Sequence, residues 1–484
     1  MAGTLLDVLA GHVAARGDRS FVVHEGRRVS YADFDRLSDA AAAALVARGV
    51  ARGDRVTLAL GNSVEYVVAA FGILKAGGVL NPLNPALGPA ELGYVVRHAA
   101  PRIVVAEAAH AERFGSLGCT VIGTGALAAR AARPPVDVGP DDAALLMYTS
   151  GTTGDPKGVL FDHRNSGSSG RHFLPTLGIG GDDTILAVTP LFHGNAWGAV
   201  QTALHAGGAV AFPRAFHASE FWPLVRTSGA TVLYTLGTIL AMLLAREPSD
   251  DERTSGLRVI LGLGSAPIRD RIIARFGVAH VAECFGSTDA GVVTITPLGA
   301  PPRPGSCGPA VPGVRIAILD DDGRALPPRQ PGEIAVLSPT RMTAYFRDPE
   351  ATARAVRDGW FLTGDLGFLD EDGWLYFVDR KRDVIRRGGE NVSSVLVEKV
   401  LREHPRVADV AVVGVPDAVL GQEIKAFVVA SGPVGTDELA AFAAERLAKF
   451  QVPRLWEFRD ALPKTPTQRV EKYKLRERGG PLLG

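Results

Sequence analysis

Cysteine is scarce in this 484-residue chain. The three present, Cys119, Cys284 and Cys307, are too few and too scattered for a disulfide framework or a clustered metal site, which fits a reducing compartment, the cytoplasm. Net charge is missing as well: 52 basic residues balance 52 acidic ones, so nothing points to nucleic acid or an anionic membrane as partner, and small ligands remain. No stretch approaches the roughly 20 apolar residues of a spanning helix. The N-terminus, MAGTLLDVLAGHVAARGDRS, lacks the basic start and unbroken apolar core of a signal peptide. Internal repeats and low-complexity tails are absent too. The length suffices for substantial cores and suggests about three domains as a soft prior.

What is present concentrates in YTSGTTGDPKG, Tyr148 to Gly158. Hydroxyls (Thr149, Ser150, Thr152, Thr153), glycines (Gly151, Gly154, Gly158) and one lysine (Lys157) crowd a short segment. Glycines let a loop turn its N–H groups inward, hydroxyls add donors, and the lysine adds a mobile positive charge, which together make a grip for phosphate. The spacing is not that of a Walker A loop, because Gly158 stands where a Ser or Thr should follow the lysine. The preceding apolar run, Ala143 to Met147, predicts a buried strand that leads into the loop.

Up to about Ile295, short apolar strands such as Val56 to Leu60, Ile185 to Val188 and Val259 to Leu263 alternate with longer helical stretches, the pattern of α/β layers. Tyr31 to Ala47 reads as a helix with Ser30 as N-cap. Between Val314 and Phe377 the texture changes to strands and tight turns, a β-rich subdomain with turns ending at Gly323 and Gly373. The charged run DRKRD, Asp379 to Asp383, closes this region. An α+β unit follows, with a helix near Val395 to Glu403, strands at Val410 to Val413 and Ile424 to Val429, and a helix near Asp437 to Lys449 capped by Thr436. Roughly 100 residues make a credible second domain. The expected fold is therefore α/β: a large N-terminal domain of layered α/β subdomains with a β-rich subdomain, residues 1–381, and a small mobile α+β domain, residues 382–484.

Several further motifs stand in order behind the first. They are LFHGNAWG (Leu191 to Gly198), GLGSAP (Gly262 to Pro267), CFGSTDAG (Cys284 to Gly291), GWFLTGDLG (Gly359 to Gly367) and RRGGEN (Arg386 to Asn391). Together with the phosphate loop they resemble the adenylate-forming superfamily of acyl-CoA and aryl-CoA synthetases, luciferases and peptide-synthetase adenylation domains. The likeness covers nearly the whole chain, and RRGGENVSS with VEKVLREHP is nearest to the carnitine and crotonobetaine CoA ligase branch. The resemblance implies that a carboxylic acid reacts with ATP to give an acyl adenylate and pyrophosphate, after which the C-terminal domain rotates and CoA attacks.

The resemblance assigns roles as follows. The loop from Thr149 to Gly154 and Lys157 hold phosphate. Gly264, Ser265, Ala266 and Pro267 leave room for adenine; Phe285, in the segment with Gly286, Ser287 and Thr288, supplies the stacking face; and Asp289 holds Mg²⁺. Asp289 stands where the family usually has Glu, one methylene longer, so the ion needs a shift or a bridging water. Asp365 accepts the ribose hydroxyls and Arg380 joins it. Arg382 is the hinge. Arg387, Gly388, Gly389 and Glu390 border the CoA channel, and His193, Asn195, Tyr234, Leu236 and Gly237 line the acyl pocket. No acid lies between Leu191 and Trp197 to pair with an amino group, which argues against amino-acid substrates. His193 is also the only nearby candidate for a general base.

One departure stands out. The family's C-terminal loop, Pro-x-Thr-x-Ser/Thr-Gly-Lys, places a lysine on the substrate carboxylate and α-phosphate during adenylation. Here PKTPTQRVEK, Pro463 to Lys472, puts Arg469 at the lysine and Gln468 at the glycine. A planar guanidinium fork does not bridge converging oxygens as a compact ammonium does, and losing one well-aimed donor typically costs about 10²–10³ in rate. Lys472 lies too far along to replace it unless the loop slips. The expectation is therefore an acyl-CoA ligase specialised for acyl adenylate plus CoA giving acyl-CoA plus AMP, with a separate adenylating synthetase as partner and ATP with Mg²⁺ left as possible ligands. The alternatives are a complete ATP-dependent ligase and, from another class, a non-catalytic adenylate-binding protein.

Overall fold

The computed structural model describes residues 3–128, 136–149, 156–168, 170–253, 255–301, 303–381, 383–387, 390–417, 420–464 and 470–476. The chain divides into two compact units, one of Met1–Thr149, Asp155–Ile316 and Val336–Phe361, the other of Ser150–Gly154, Ala317–Ala335 and Leu362–Gly484.

The larger unit carries two seven-stranded sheets among the described residues. In spatial order the first runs His280–Ala282, Val259–Leu263, Val232–Leu236, Thr184–Ala187, Ala209–Ala211, Ser20–His24 and Arg27–Ser30. All its neighbours pair in parallel except the last two strands, which are antiparallel. Its parallel strands are nearly continuous runs of Val, Ile, Leu and Ala because helices cover both faces. On one face Leu186, Leu233, Ile260 and Val281 pack against Trp222, Leu240, Ile272 and Phe276 from the helices Phe221–Ser228, Gly237–Leu244 and Arg269–Phe276.

The second sheet runs Ala344–Tyr345, Lys157–Asp162, Ala143–Thr149, Val79–Pro82, Arg55–Ala59, Ile103–Ala106 and Val121–Ile122. Here the strand predicted at Ala143 to Met147 continues to Thr149, two residues into the phosphate motif, because it pairs antiparallel with Lys157–Asp162. The motif is thus carried on a hairpin, and Thr149 stands opposite Lys157. The helix Tyr31–Ala47 forms over its predicted span, with the Ser30 hydroxyl accepting the Asp33 N–H. It lies so close to the helix Val64–Lys75 that a Cβ on Gly72 would come within 2.5 Å of the Ala41 Cβ.

In the smaller unit the strand Trp374–Arg380 pairs antiparallel with Trp360–Leu369 and places Arg380 opposite Asp365. The predicted turns are present, with Gly323 and Gly373 at φ +81° and +79°. A second sheet pairs Val407–Asp417 with Gly421–Ala430, and the helix Ser394–Arg402 packs Val397 and Leu401 onto Val410, Val412, Ile424 and Val428. Two expectations need correction. The helix predicted near Asp437 to Lys449 is Thr436–Ala444, followed by a short 3₁₀ turn at Lys449–Gln451, and its N-cap is Gly435, so Thr436 is its first helical residue. The β-rich stretch also contains a helix, Pro349–Ala355, which the Asp348 side chain caps through the Ala351 N–H.

The first residue of DRKRD is part of the framework of the smaller unit. The Asp379 carboxylate is buried; its Oδ2 accepts the Ser394 hydroxyl at 2.9 Å, the Ser393 hydroxyl at 3.2 Å and the Val395 N–H at 3.3 Å. It therefore satisfies free N-terminal groups of the helix Ser394–Arg402 from across the sequence gap. Asp379→Ala strips this cap and leaves the buried Ser394 hydroxyl without its acceptor, so the smaller unit should lose about 1–3 kcal/mol, measured as a lowered urea midpoint; an unchanged midpoint contradicts this role.

Candidate functional site

In the larger unit the parallel register of the first sheet brings four strand ends to one edge. Past Ala187 the chain leads to Leu191–Gly198, past Leu236 to Gly237, past Leu263 to Gly264–Ile268, and past Ala282 to Cys284–Ser287. In open parallel sheets the carboxyl edge is where ligands bind, since the strand ends and following loops converge there. The segments that sequence reasoning picked out are neighbours for this reason.

A buried residue that sequence reasoning missed fixes this edge. Glu283, 7 % exposed, accepts the N–H of Gly264 at 2.7 Å and of Ala266 at 2.6 Å, and the Ser265 hydroxyl at 3.3 Å. Its own strand end is thereby tied to the turn predicted to border adenine. Burial raises its pKa, opposed by these hydrogen bonds. The turn needs its glycine, because Gly264 has φ +79°. Across the edge a Cβ on Gly237 would lie 2.2 Å from the Gly264 carbonyl oxygen, so these two candidate residues are in direct contact. Glu283 sits two residues before Phe285, and only its adjacency to the motif could have drawn attention to it.

Phe285 is 7 % exposed and its N–H donates to the Thr294 hydroxyl at 3.1 Å, so most of its ring is covered in this arrangement. Gly286 cannot carry a side chain without meeting the Gly291 carbonyl at 2.5 Å. The turn that follows holds Thr288 and Asp289, closed by the Ser287 hydroxyl accepting the Ala290 N–H. The Asp289 carbonyl accepts the Met342 N–H at 2.7 Å, and burial, with the Asp289 charge, pushes the Tyr345 hydroxyl well above its ordinary pKa. The Lys157 ammonium is exposed and lies over the Tyr345 ring, 4.8 Å from its centroid. Among the described residues no group of three or more His, Cys, Asp or Glu is arranged to hold a metal ion.

At the acyl end, His193 is the N-cap residue of the helix Gly194–Ala206, and its ring lies 4.5 Å from that of Phe192. Burial lowers its pKa to about 4, so the imidazole is neutral near pH 7. Such a ring is a weak base toward a thiol with an ordinary pKa near 8.5, so lining the pocket suits it better than proton abstraction. Asn195 accepts the Thr189 hydroxyl at 3.1 Å. Tyr234 is buried, with its hydroxyl 3.0 Å from that of Thr202.

In the smaller unit Asp365, 5 % exposed, meets Arg380 at 3.2 Å across the paired strands. The two ribose candidates thus stand together. Arg387 is differently placed: its guanidinium is buried on Glu423 in a two-point ion pair, Nε to Oε1 at 2.5 Å and Nη2 to Oε2 at 2.9 Å, and donates to the Phe450 carbonyl. Those bonds commit it to the scaffold of the smaller unit. Lys472 is also committed, with its ammonium 2.7 Å from the Glu398 carboxylate and 2.7 Å from the Ser394 hydroxyl. The candidates Ser150, Gly151, Thr152, Thr153, Gly154, Arg382, Gly388, Gly389 and Arg469 lie outside the described residues, as do the side chains of Pro267 and Glu390.

Residues 9–346 match the family model of the AMP-binding enzymes, and residues 396–469 match that of the AMP-binding enzyme C-terminal domain. The chain belongs to the acyl-CoA ligase family of the adenylate-forming superfamily. It is 33% identical over 503 residues to the fatty acid–[acyl-carrier-protein] ligase ScoC of Streptomyces coeruleorubidus, covering 98% of this chain and 96% of that one. It is 35% identical over 471 residues to a feruloyl-CoA synthase of Amycolatopsis sp, covering 95% and 96%. Among solved structures it is similar to ATP-bound MatB from Rhodopseudomonas palustris, with TM-score 0.90, 31% identity and 98% of each chain covered. It is also similar to the AMP complex of the o-succinylbenzoate coenzyme A synthetase from Bacillus subtilis, with TM-score 0.89, 28% identity and 97% of each chain covered. The expected α/β fold, a large N-terminal and a smaller C-terminal domain, is the fold of this acyl-CoA ligase family. No helix among the described residues is long and apolar enough to cross a membrane.

Desolvated imidazoles contribute to the acid sensitivity of this ligase, His163 and His193 most strongly. Burial lowers the pKa of both His163 and His193 from 6.5 to about 4. The unfolded chain therefore takes up these protons first, and stability falls as pH drops through 6.5 and on toward 4. His193→Gln should flatten this loss, read as the urea midpoint between pH 7 and pH 4.5; a slope identical to that of the unmodified protein contradicts it.

Proposed function

We propose that this acyl-CoA ligase is specialised for the second half-reaction, the transfer of an acyl group from a preformed acyl adenylate to CoA with release of AMP. Arg469 in place of the adenylating lysine carries this reading. The arrangement of Lys472 supports it. With its ammonium held by Glu398 and Ser394, the nearest downstream lysine is not free to serve in its stead.

The residues retained suit the half that remains. Lys157, on the exposed end of its strand, supplies positive charge for a phosphate; Asp365 and Arg380 take the ribose hydroxyls; the turn Gly264–Pro267 and Phe285 border adenine. His193, Asn195, Tyr234 and Gly237 border the acyl group, and Gly388, Gly389 and Glu390 border the pantetheine arm of CoA. The hinge is at Arg382, between domains of residues 1–381 and 382–484. A separate synthetase supplies the adenylate. Mg²⁺ belongs to the ATP-dependent step. It takes one or two carboxylates plus substrate phosphates, and Asp289 supplies a single carboxylate. Thioester formation then rests on positioning the thiol against the acyl carbon, with AMP as leaving group.

A complete two-step ligase is the second reading, favoured by the retention of Lys157. Intact Lys157 and Asp365 count against a non-catalytic carrier. The deciding experiment gives the protein acid, ATP and Mg²⁺ and measures pyrophosphate, then gives it synthetic acyl adenylate with CoA and measures thioester. The proposal expects thioester from the adenylate at a rate at least about 10² above adenylation. Pyrophosphate formed at the rate of thioester overturns it in favour of the complete ligase, and no thioester from a panel of adenylates overturns it in favour of the carrier.

A further inference from the structure

Tyr148 opens the motif that ends at Gly158, but no ligand atom is assigned to it. Its ring lies across the facing strand: Tyr148 pairs with Gly158, and a Cβ on Gly158 would come within 3.3 Å of the Tyr148 Cζ. Its hydroxyl leaves the hairpin for the last turn of the helix Pro89–Ala99, where it lies 2.8 Å from His98 Nδ1. We infer that His98 is a positioning residue that acts through the Tyr148 hydroxyl to fix the base of this hairpin, and with it the phosphate candidates Thr149 and Lys157. The inference rests on the assignment of the hairpin to phosphate in the function proposed above.

Both ends of this contact are held by their surroundings. Tyr94, one turn earlier on the same helix, stacks on the His98 ring with centroids 5.6 Å and planes 12° apart, and Phe346 meets that ring edge-on at 5.6 Å and 85°. The Arg347 guanidinium donates to the His98 carbonyl at 2.9 Å. Desolvation, with the Arg347 charge behind it, lowers the His98 pKa, and burial raises that of the Tyr148 hydroxyl, so a neutral imidazole faces a protonated phenol near pH 7.

On the hairpin side Gly158 is enclosed. A Cβ there would also lie 3.1 Å from Leu146 Cδ1 and 3.3 Å from Phe346 Cβ, and the Gly158 carbonyl accepts the Phe346 N–H at 2.7 Å. A side chain after the lysine of this motif would therefore push the Tyr148 ring away. With the ring in place, one side chain steadies both strands, next in sequence to Thr149 on one and across from the neighbour of Lys157 on the other. The Lys157 ammonium is exposed on a flexible four-carbon stem, so what the fold can fix is where that stem begins. Binding groups hold a ligand well when packing and supporting hydrogen bonds lock the backbone they stand on. An imidazole that only satisfied a half-buried phenol would have no effect confined to the phosphate.

Calorimetric titration of the full chain with AMP and with adenosine, which differ only in the phosphate, tests this. His98→Leu should lower AMP affinity about three- to tenfold while adenosine affinity stays within about twofold. Tyr148→Phe keeps the ring over Gly158 and removes only the hydroxyl, so it should do the same, and the double variant should bind AMP no more weakly than either single one, because both remove one interaction. His98→Asn, whose side-chain amide can reach the place of Nδ1, should keep AMP affinity within about twofold. Unchanged AMP affinity in Tyr148→Phe, equal losses for AMP and adenosine, losses that add in the double variant, or a His98→Asn protein as weak as His98→Leu each overturn the inference. If Lys157→Ala weakens AMP binding while the His98 and Tyr148 variants match the unmodified protein, the inference falls and the proposed function stands. An unmodified protein that binds AMP no more tightly than adenosine overturns the phosphate assignment and the inference together.

Discussion

The candidate site depends on one buried carboxylate. Glu283 closes the strand His280–Ala282 and accepts N–H groups from the turn that closes the strand Val259–Leu263, so two neighbouring ends of a parallel sheet are tied at a fixed spacing. Burying a carboxylate is costly unless its oxygens are satisfied, and here two N–H groups of the turn and the Ser265 hydroxyl supply that satisfaction. The carboxylate therefore dictates the conformation of the turn. Gly237 extends the arrangement to a third strand end, since the Gly264 carbonyl occupies the space a Cβ would need. Adenine and acyl candidates are adjacent because parallel pairing puts these ends on one edge and Glu283 locks them there.

The second sheet adds the charged elements of the larger unit. Its hairpin sets Lys157 opposite Thr149, and its edge strand Ala344–Tyr345 sets an aromatic face beside that lysine. In the smaller unit buried charge serves the framework instead. Asp379 caps a helix, Arg387 is spent on Glu423, and Lys472 is spent on Glu398. The same residue types do different work according to whether their hydrogen-bonding capacity is consumed by the fold. An exposed Lys157 has capacity to offer a ligand, whereas a buried Arg387 does not.

Much of this was legible in the sequence because it is local. The helix Tyr31–Ala47 and its Ser30 cap follow from periodicity and one hydroxyl, and the tight turns follow from glycines at Gly323 and Gly373. The ordered motifs gave the family outright. What sequence reasoning missed depends on long-range partners. Glu283 carries no signal of its own, because its significance lies in Gly264 and Ala266. Arg387 looked available for the same reason, since its partner Glu423 is remote along the chain. The helix Pro349–Ala355 is a different case: Asp348 followed by Pro349 is a recognisable start signal, overlooked within a stretch dominated by strands. Thr436 was mistaken for a cap because the residue that holds the cap position, Gly435, has no side chain to announce it.

The family membership of this ligase leaves one chemical question, whether an arginine at position 469 separates it from a complete ligase. A guanidinium keeps the charge of lysine and changes its shape, so the consequence should fall on adenylation and spare thioester formation. The most direct measurement is ATP–pyrophosphate exchange, in the presence of a carboxylic acid whose adenylate the protein converts to thioester, for the unmodified protein and for Arg469→Lys. The account predicts little exchange by the former and a gain of about 10² or more by the latter, with thioester formation from the preformed adenylate unchanged. Equal exchange by both proteins at a rate matching thioester formation would contradict it.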